Sequence, residues 1–186
     1  MAEAAVRPAT LHDAPEIARI QVDTWRTAYN ELLPEAVLAG LDVDGVAGSW
    51  RQAVEEDGVT LLVATEGSWV VGFCAAGPAP RDEVAAADGG LPADAETTVL
   101  VGTLLVEPRW GRRGHGGRLL ATAAHALHKR GATRGIAWVP EADAASLAFY
   151  LSVGWTADGT VRTLDADGRP LREIRLTGGL ALPFRD

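Results

Sequence analysis

Residues 104–120 read Leu104-Leu105-Val106-Glu107-Pro108-Arg109-Trp110-Gly111-Arg112-Arg113-Gly114-His115-Gly116-Gly117-Arg118-Leu119-Leu120, and their order decides the fold. An apolar run closed by Pro108 is the end of a strand. From Leu119 the apolar residues return at helical spacing, through Leu120, Ala123, Ala124 and Leu127, over a helix from about Gly116 to Arg130 that Gly131 stops. A glycine-rich turn that delivers a chain into a helix leaves backbone N–H groups unpaired, and the helix dipole adds positive potential there. Such a turn binds phosphate. Gly114, Gly116 and Gly117 let a ligand approach the main chain, while Arg109, Arg112, Arg113 and Arg118 set four cations beside it. The pattern is not a Walker A loop, because no Gly-Lys-Ser/Thr follows, and its spacing is wrong for a dinucleotide fingerprint.

Outward from this turn, short strands and helices alternate. On the N-terminal side, Asp13 to Asn30 carries a helical face at Ala14, Ile17, Ala18, Trp25 and Ala28, interrupted by Gln21. Less regular helical stretches follow at 34–41 and 46–56. Val59 to Val63 and Trp69 to Phe73 read as a hairpin around the turn signal Glu66-Gly67-Ser68. A loop rich in Ala, Asp, Gly and Pro then runs from Pro78 to Glu96, and its length marks it as functional or mobile. A strand from Thr97 to Val106 leads into the turn. Beyond the helix come a strand at 135–139, a short helix at 143–153, and strands at 160–164 and 171–176 flanking Asp165-Ala166-Asp167-Gly168.

Composition bounds the function. A chain of 186 residues with 47% apolar residues is expected to form one domain spanning 1–186. The 17 Lys and Arg against 25 Asp and Glu leave a formal charge of −8, which repels nucleic acid. Cys74, the one cysteine, lies in an apolar run and is expected to be a core thiol. The N-terminal segment lacks the pattern of a secretory signal, and no stretch approaches bilayer length, so a cytoplasmic location without membrane attachment is expected.

Leu-Leu-Val-Glu-Pro followed by Gly-Arg-Arg-Gly-His-Gly-Gly-Arg-Leu-Leu resembles the signature motif of the GNAT N-acetyltransferases, and the resemblance extends over nearly the whole chain, from Val6-Arg7-Pro8-Ala9-Thr10 onward. Gly114 and Gly116 match the motif's two small positions, whereas Gly111 stands where the family has Arg or Gln, and Arg112 is shifted by one. The resemblance implies an α/β (α+β) fold, a mixed, mostly antiparallel sheet of about seven strands with helices on both faces. It implies acetyl-CoA as acyl donor, with the backbone from Gly111 through Arg113, Gly114, His115, Gly116 and Gly117 to Arg118 holding the diphosphate. Leu104, Leu105 and Val106 would lend main-chain hydrogen bonds to pantetheine. Homodimers are common in such a family.

The same resemblance gives Tyr150 its role. Asp143, Ser146 and Tyr150 lie three and four residues apart, so a helix capped by Asp143 presents them on roughly one face, and the resemblance implies that all three contact the cofactor. The segment Ala148-Phe149-Tyr150-Leu151-Ser152-Val153-Gly154-Trp155 resembles the family's corresponding helix, whose tyrosine protonates the departing thiolate. A reference pKa near ~10 keeps a phenol protonated for that task. The candidate bases are Glu96, at the start of the central strand, and Glu107, at its far end and read as part of the turn, and no position identifies itself as the base. His115 either bonds the cofactor or points to solvent. His125 and His128 lack the partners of a metal site, and no metal is expected. Trp25 and Tyr29, i and i+4 on the first helix, are the expected substrate-binding residues, with the loop before Thr97. An amine acceptor is implied, without its identity. A non-catalytic CoA-binding regulatory module, a transferase of longer acyl groups, and a nucleotide-binding module are the alternatives.

Overall fold

In the computed structural model, which describes residues 3–182, Asp13 fixes where the first helix starts. Its carboxylate accepts from the Thr10 amide at 2.7 Å and the Thr10 hydroxyl at 2.9 Å, and takes both Nη atoms of Arg7 at 2.7 and 2.8 Å. The chain thus leaves β1 (Ala4–Pro8), makes a 3-10 turn and enters α1 (Ala14–Ala28) with Pro15 in the first turn, where a missing N–H leaves nothing unpaired. Gln21, which breaks the apolar face of α1, accepts the Trp50 indole N–H at 2.7 Å. Trp50 belongs to α3 (Val43–Glu55), which follows the short α2 (Glu35–Ala39). α3 starts earlier than the expected Val46 because the Asp42 side chain accepts from the Asp44 and Gly45 amides, a cap that offsets the weak helix propensity of Gly45.

The remaining elements are β2 (Thr60–Glu66), β3 (Trp69–Pro78), α4 (Arg81–Val84), β4 (Thr98–Val106), α5 (His115–His128), β5 (Arg134–Pro140), α6 (Ala144–Ser152), β6 (Thr156–Ala166) and β7 (Arg169–Gly179). The strands form a sheet of order β1-β2-β3-β4-β5-β7-β6, antiparallel throughout except for β4 with β5. α5 covers one face, packing Leu119, Leu120, Ala123, Ala124 and Leu127 on Leu62, Ala64, Val71 and Cys74. On the other face Ile17 and Ile20 of α1 meet Leu61, Val63 and Phe73. Cys74 is fully buried, and burial pushes its thiol up to about 12. β6 and β7 extend well beyond their expected bounds, because β6 is an exposed edge strand without apolar alternation. The loop from Pro78 to Glu96 is held rather than loose: Arg175 donates to the carbonyls of Glu83 and Ala85, and Arg134 to both Asp94 oxygens. Among the described residues no helix is long and apolar enough to cross a membrane.

One irregularity positions everything that follows. β4 and β5 pair only from Thr98↔Arg134 to Leu100↔Ile136, although β4 runs on to Val106 and β5 to Pro140. Against β3, Ala75 faces Thr103 and Ala76 faces Val101, so Gly102 is the extra residue of a bulge. A bulge bends its strand, and the bend carries residues 102–106 away from β5.

The Asp13 cluster yields a test. The Arg7 guanidinium, outweighing the cost of burial, holds the Asp13 carboxyl down at about 2. Relative to an unfolded value of ~3.9, that depression contributes about 2 kcal/mol of stability, fully present above the unfolded value and lost as pH falls through the folded one. Asp13→Asn should therefore destabilise by that order at pH 7, and urea titrations at decreasing pH should show the gap to wild type closing below pH ~4.

Candidate active site

The wedge between β4 and β5 opens into a cleft of about 1300 Å³. Leu104, Leu105 and Val106 form its floor, residues 111–118 one wall, Asp143, Ser146 and Tyr150 the other, and Tyr29 with the segment after it closes one side. Residues expected from separate parts of the sequence thus meet in one place. Trp25 does not line the cleft; its ring lies behind that of Tyr29, with centroids 6.3 Å apart. Arg109 also lies outside, with its Nε 3.1 Å from Glu107.

The wall at 111–118 is built by backbone conformation. Arg112 and Gly114 both take positive φ, at 59° and 83°, which turns the chain sharply into α5. Among the described residues no protein group accepts from the main-chain N–H groups of residues 112–117; the first bond of the helix runs from Arg118 N–H to the Gly114 carbonyl at 3.0 Å. Gly117 has nothing within 4 Å of the place a Cβ would occupy, so ligand atoms can reach its backbone. Gly116 serves packing instead, since a Cβ there would meet Phe149 at 3.3 Å. The Arg113 guanidinium lies 4.8 Å over the Trp110 ring, and Arg118 donates to the Arg113 carbonyl at 3.2 Å. These are the donors, the dipole and the cations that an anionic diphosphate requires. His115 does not point to solvent: it is 1% exposed, with Nε2 2.9 Å from the Glu66 carboxylate.

The opposite wall depends on Asp143. Its carboxylate caps α6, accepting the Ser146 N–H at 3.0 Å and the Ser146 hydroxyl at 2.6 Å, and it also accepts the Tyr29 hydroxyl at 3.0 Å. The Tyr29 contact, across 114 positions of sequence, has no local signal that could have announced it. Burial, reinforced by the Asp143 charge, raises the Tyr29 phenol well above its ordinary range. Tyr150, 5% exposed, stacks on Trp155 at 5.3 Å, and burial holds its phenol strongly protonated. Neither candidate base reaches the cleft: Glu96 is exposed and ion-paired with Arg81, and Glu107 takes Arg19 at 3.2 Å. The carboxylates that do line it are Glu31 and Asp143.

Comparison with known proteins agrees with this geometry. The sequence model of the acetyltransferase (GNAT) family matches residues 15–155. The chain is 35% identical to the uncharacterized N-acetyltransferase YuaI of Bacillus subtilis (strain 168) over 145 residues, which are 78% of this chain and 76% of the relative. The fold matches PaiA N-acetyltransferase from Thermoplasma acidophilum, solved in complex with coenzyme A, with a TM-score of 0.72 at 14% identity over 95% of this chain and 99% of the other. It also matches YncA from Salmonella typhimurium, solved with its cofactor acetyl-CoA, with a TM-score of 0.69 at 20% identity over 95% of this chain and 94% of the other. The chain belongs to the GNAT acetyltransferase family and is an N-acetyltransferase by class.

A carboxylate placed among the free amides should repel a diphosphate without disturbing the fold. Gly117→Glu, where space is open, is expected to weaken CoA binding about 100-fold or more in calorimetric titration while the thermal midpoint stays close to wild type.

Proposed function

We propose that this chain transfers the acetyl group of acetyl-CoA directly to the nitrogen of an amine acceptor, a small molecule or a peptide or protein amine, without a covalent acetyl-enzyme. The observation that carries the reading is the run of unpaired amides at 112–117 facing the same cleft as the open edge of β4 and the buried phenol of Tyr150. The residues present fit the donor. The amides of 112–117 with Arg112, Arg113 and Arg118 hold the diphosphate, and the backbone of Leu104 to Val106, without a β5 partner, orients the pantetheine arm.

When bound, acetyl-CoA supplies a thioester carbonyl open to nucleophilic attack and a sulfur that leaves as thiolate. Positioning is then the first contribution of the protein, because attack on a held carbonyl replaces a bimolecular encounter. Tyr150 supplies the second: its hydroxyl holds a proton that it gives to the departing sulfur, and regains one released by the amine nitrogen as the amide forms. Asp143 works through Tyr150 as a positioning residue. By capping α6 and taking the Tyr29 hydroxyl, it fixes the helix that aims the phenol.

Tyr150→Phe keeps the ring packing on Trp155 and removes only the proton donor. It should lower kcat for amine-dependent thiol release by about 100-fold or more while CoA affinity stays within about twofold of wild type. Unchanged turnover would overturn the role given to Tyr150. CoA binding without thiol release from wild type on any amine would favour the regulatory module.

A further inference from the structure

Leu62, Ala64 and Glu66 alternate onto the face of β2 that meets α5, so the pleat turns the last residue of the series, a carboxylate, toward the start of that helix. Glu66 does not line the cleft. Its side chain is 18% exposed, and its two oxygens serve two residues of the phosphate-binding wall: Oε2 lies 2.9 Å from His115 Nε2, and Oε1 accepts from Arg113 Nη1 at 3.2 Å. The hairpin end that carries it is itself anchored, with Glu66 opposite Trp69 and the Gly67 amide donating to the Glu3 carbonyl at 3.0 Å. His115 is 1% exposed, and its Nδ1 is buried without a hydrogen-bond partner among the described residues. The imidazole at the first position of α5 is therefore held by one polar contact, to Glu66. Without an acceptor there, a buried N–H would stand unpaired and the ring would have to move, taking with it the backbone that presents amides 115–117.

We propose that Glu66 is a positioning residue for the donor diphosphate: it acts through His115 and Arg113, holding the amide run and the Arg113 cation in binding geometry from outside the cleft. The inference rests on the donor-site reading above. A carboxylate can serve both donors at once, whereas the single carbonyl oxygen of a glutamine serves one and turns an amide nitrogen toward the other.

Glu66→Gln should raise the Kd for CoA and the KM for acetyl-CoA about tenfold, the effect of losing one charge-assisted hydrogen bond, while kcat at saturation stays within about twofold. The decisive control is S-acetylpantetheine, a donor without the diphosphate, on which Glu66→Gln and wild type should be equally active. A second variant is independent of how Glu66→Gln folds: His115→Leu removes the donor from the other side of the contact and should weaken CoA binding at least as much as Glu66→Gln does, again without loss on S-acetylpantetheine. Unchanged CoA affinity in Glu66→Gln, or an equal loss on S-acetylpantetheine, overturns the inference alone. Failure of wild type to bind CoA overturns the donor-site reading, and this inference with it.

Discussion

The parting of β4 from β5 after Leu100↔Ile136 is the constraint on which the rest of the structure depends. Two parallel strands that stayed paired to their ends would leave no cleft for the turn after β4 to line. The bulge at Gly102 bends β4 at the cost of a few ladder hydrogen bonds. It leaves one edge of residues 102–106 free for a ligand and aims the following turn across the opening. The same bend makes room for α6, so Tyr150 lies near the open strand edge without a long loop to carry it.

Charge is distributed to match. The chain carries a formal charge of −8, yet Arg112, Arg113 and Arg118 gather at one wall of the cleft, where an anionic donor would sit. Several acids elsewhere are ion-paired: Glu83 with Arg162, Asp94 with Arg134, Glu107 with Arg19. Of these, Glu83 and Asp94 hold the loop from Pro78 to Glu96 in place.

What was legible in the sequence were the features with a local cause. The glycines and arginines of 111–118 stand in consecutive positions and form one wall of the cleft, and Asp143 with Ser146 writes a helix cap that the structure reproduces as two hydrogen bonds. The apolar repeat of α5 likewise announces its buried face. What stayed hidden depends on pairing across the chain. The Tyr29 to Asp143 bond and the Glu66 to His115 contact join residues that no periodicity relates, so Glu66 reads from sequence as part of a turn signal. The start of α3 was obscured by a glycine whose poor propensity a cap offsets, and β6 by an exposure that removes alternation. Trp25 shows the reverse, an aromatic whose spacing marks a face but whose ring packs behind Tyr29.

The central claim is that the free amides of residues 112–117 are the diphosphate cradle, and hydrogen exchange read by mass spectrometry tests it most directly. In the free protein these amides have no protein acceptor and should exchange fast. Saturating CoA should slow exchange in peptides covering 104–118, with the strongest protection at 112–117, while ATP at the same concentration should protect them far less. Binding of CoA that leaves exchange at 112–117 unchanged would contradict the assignment.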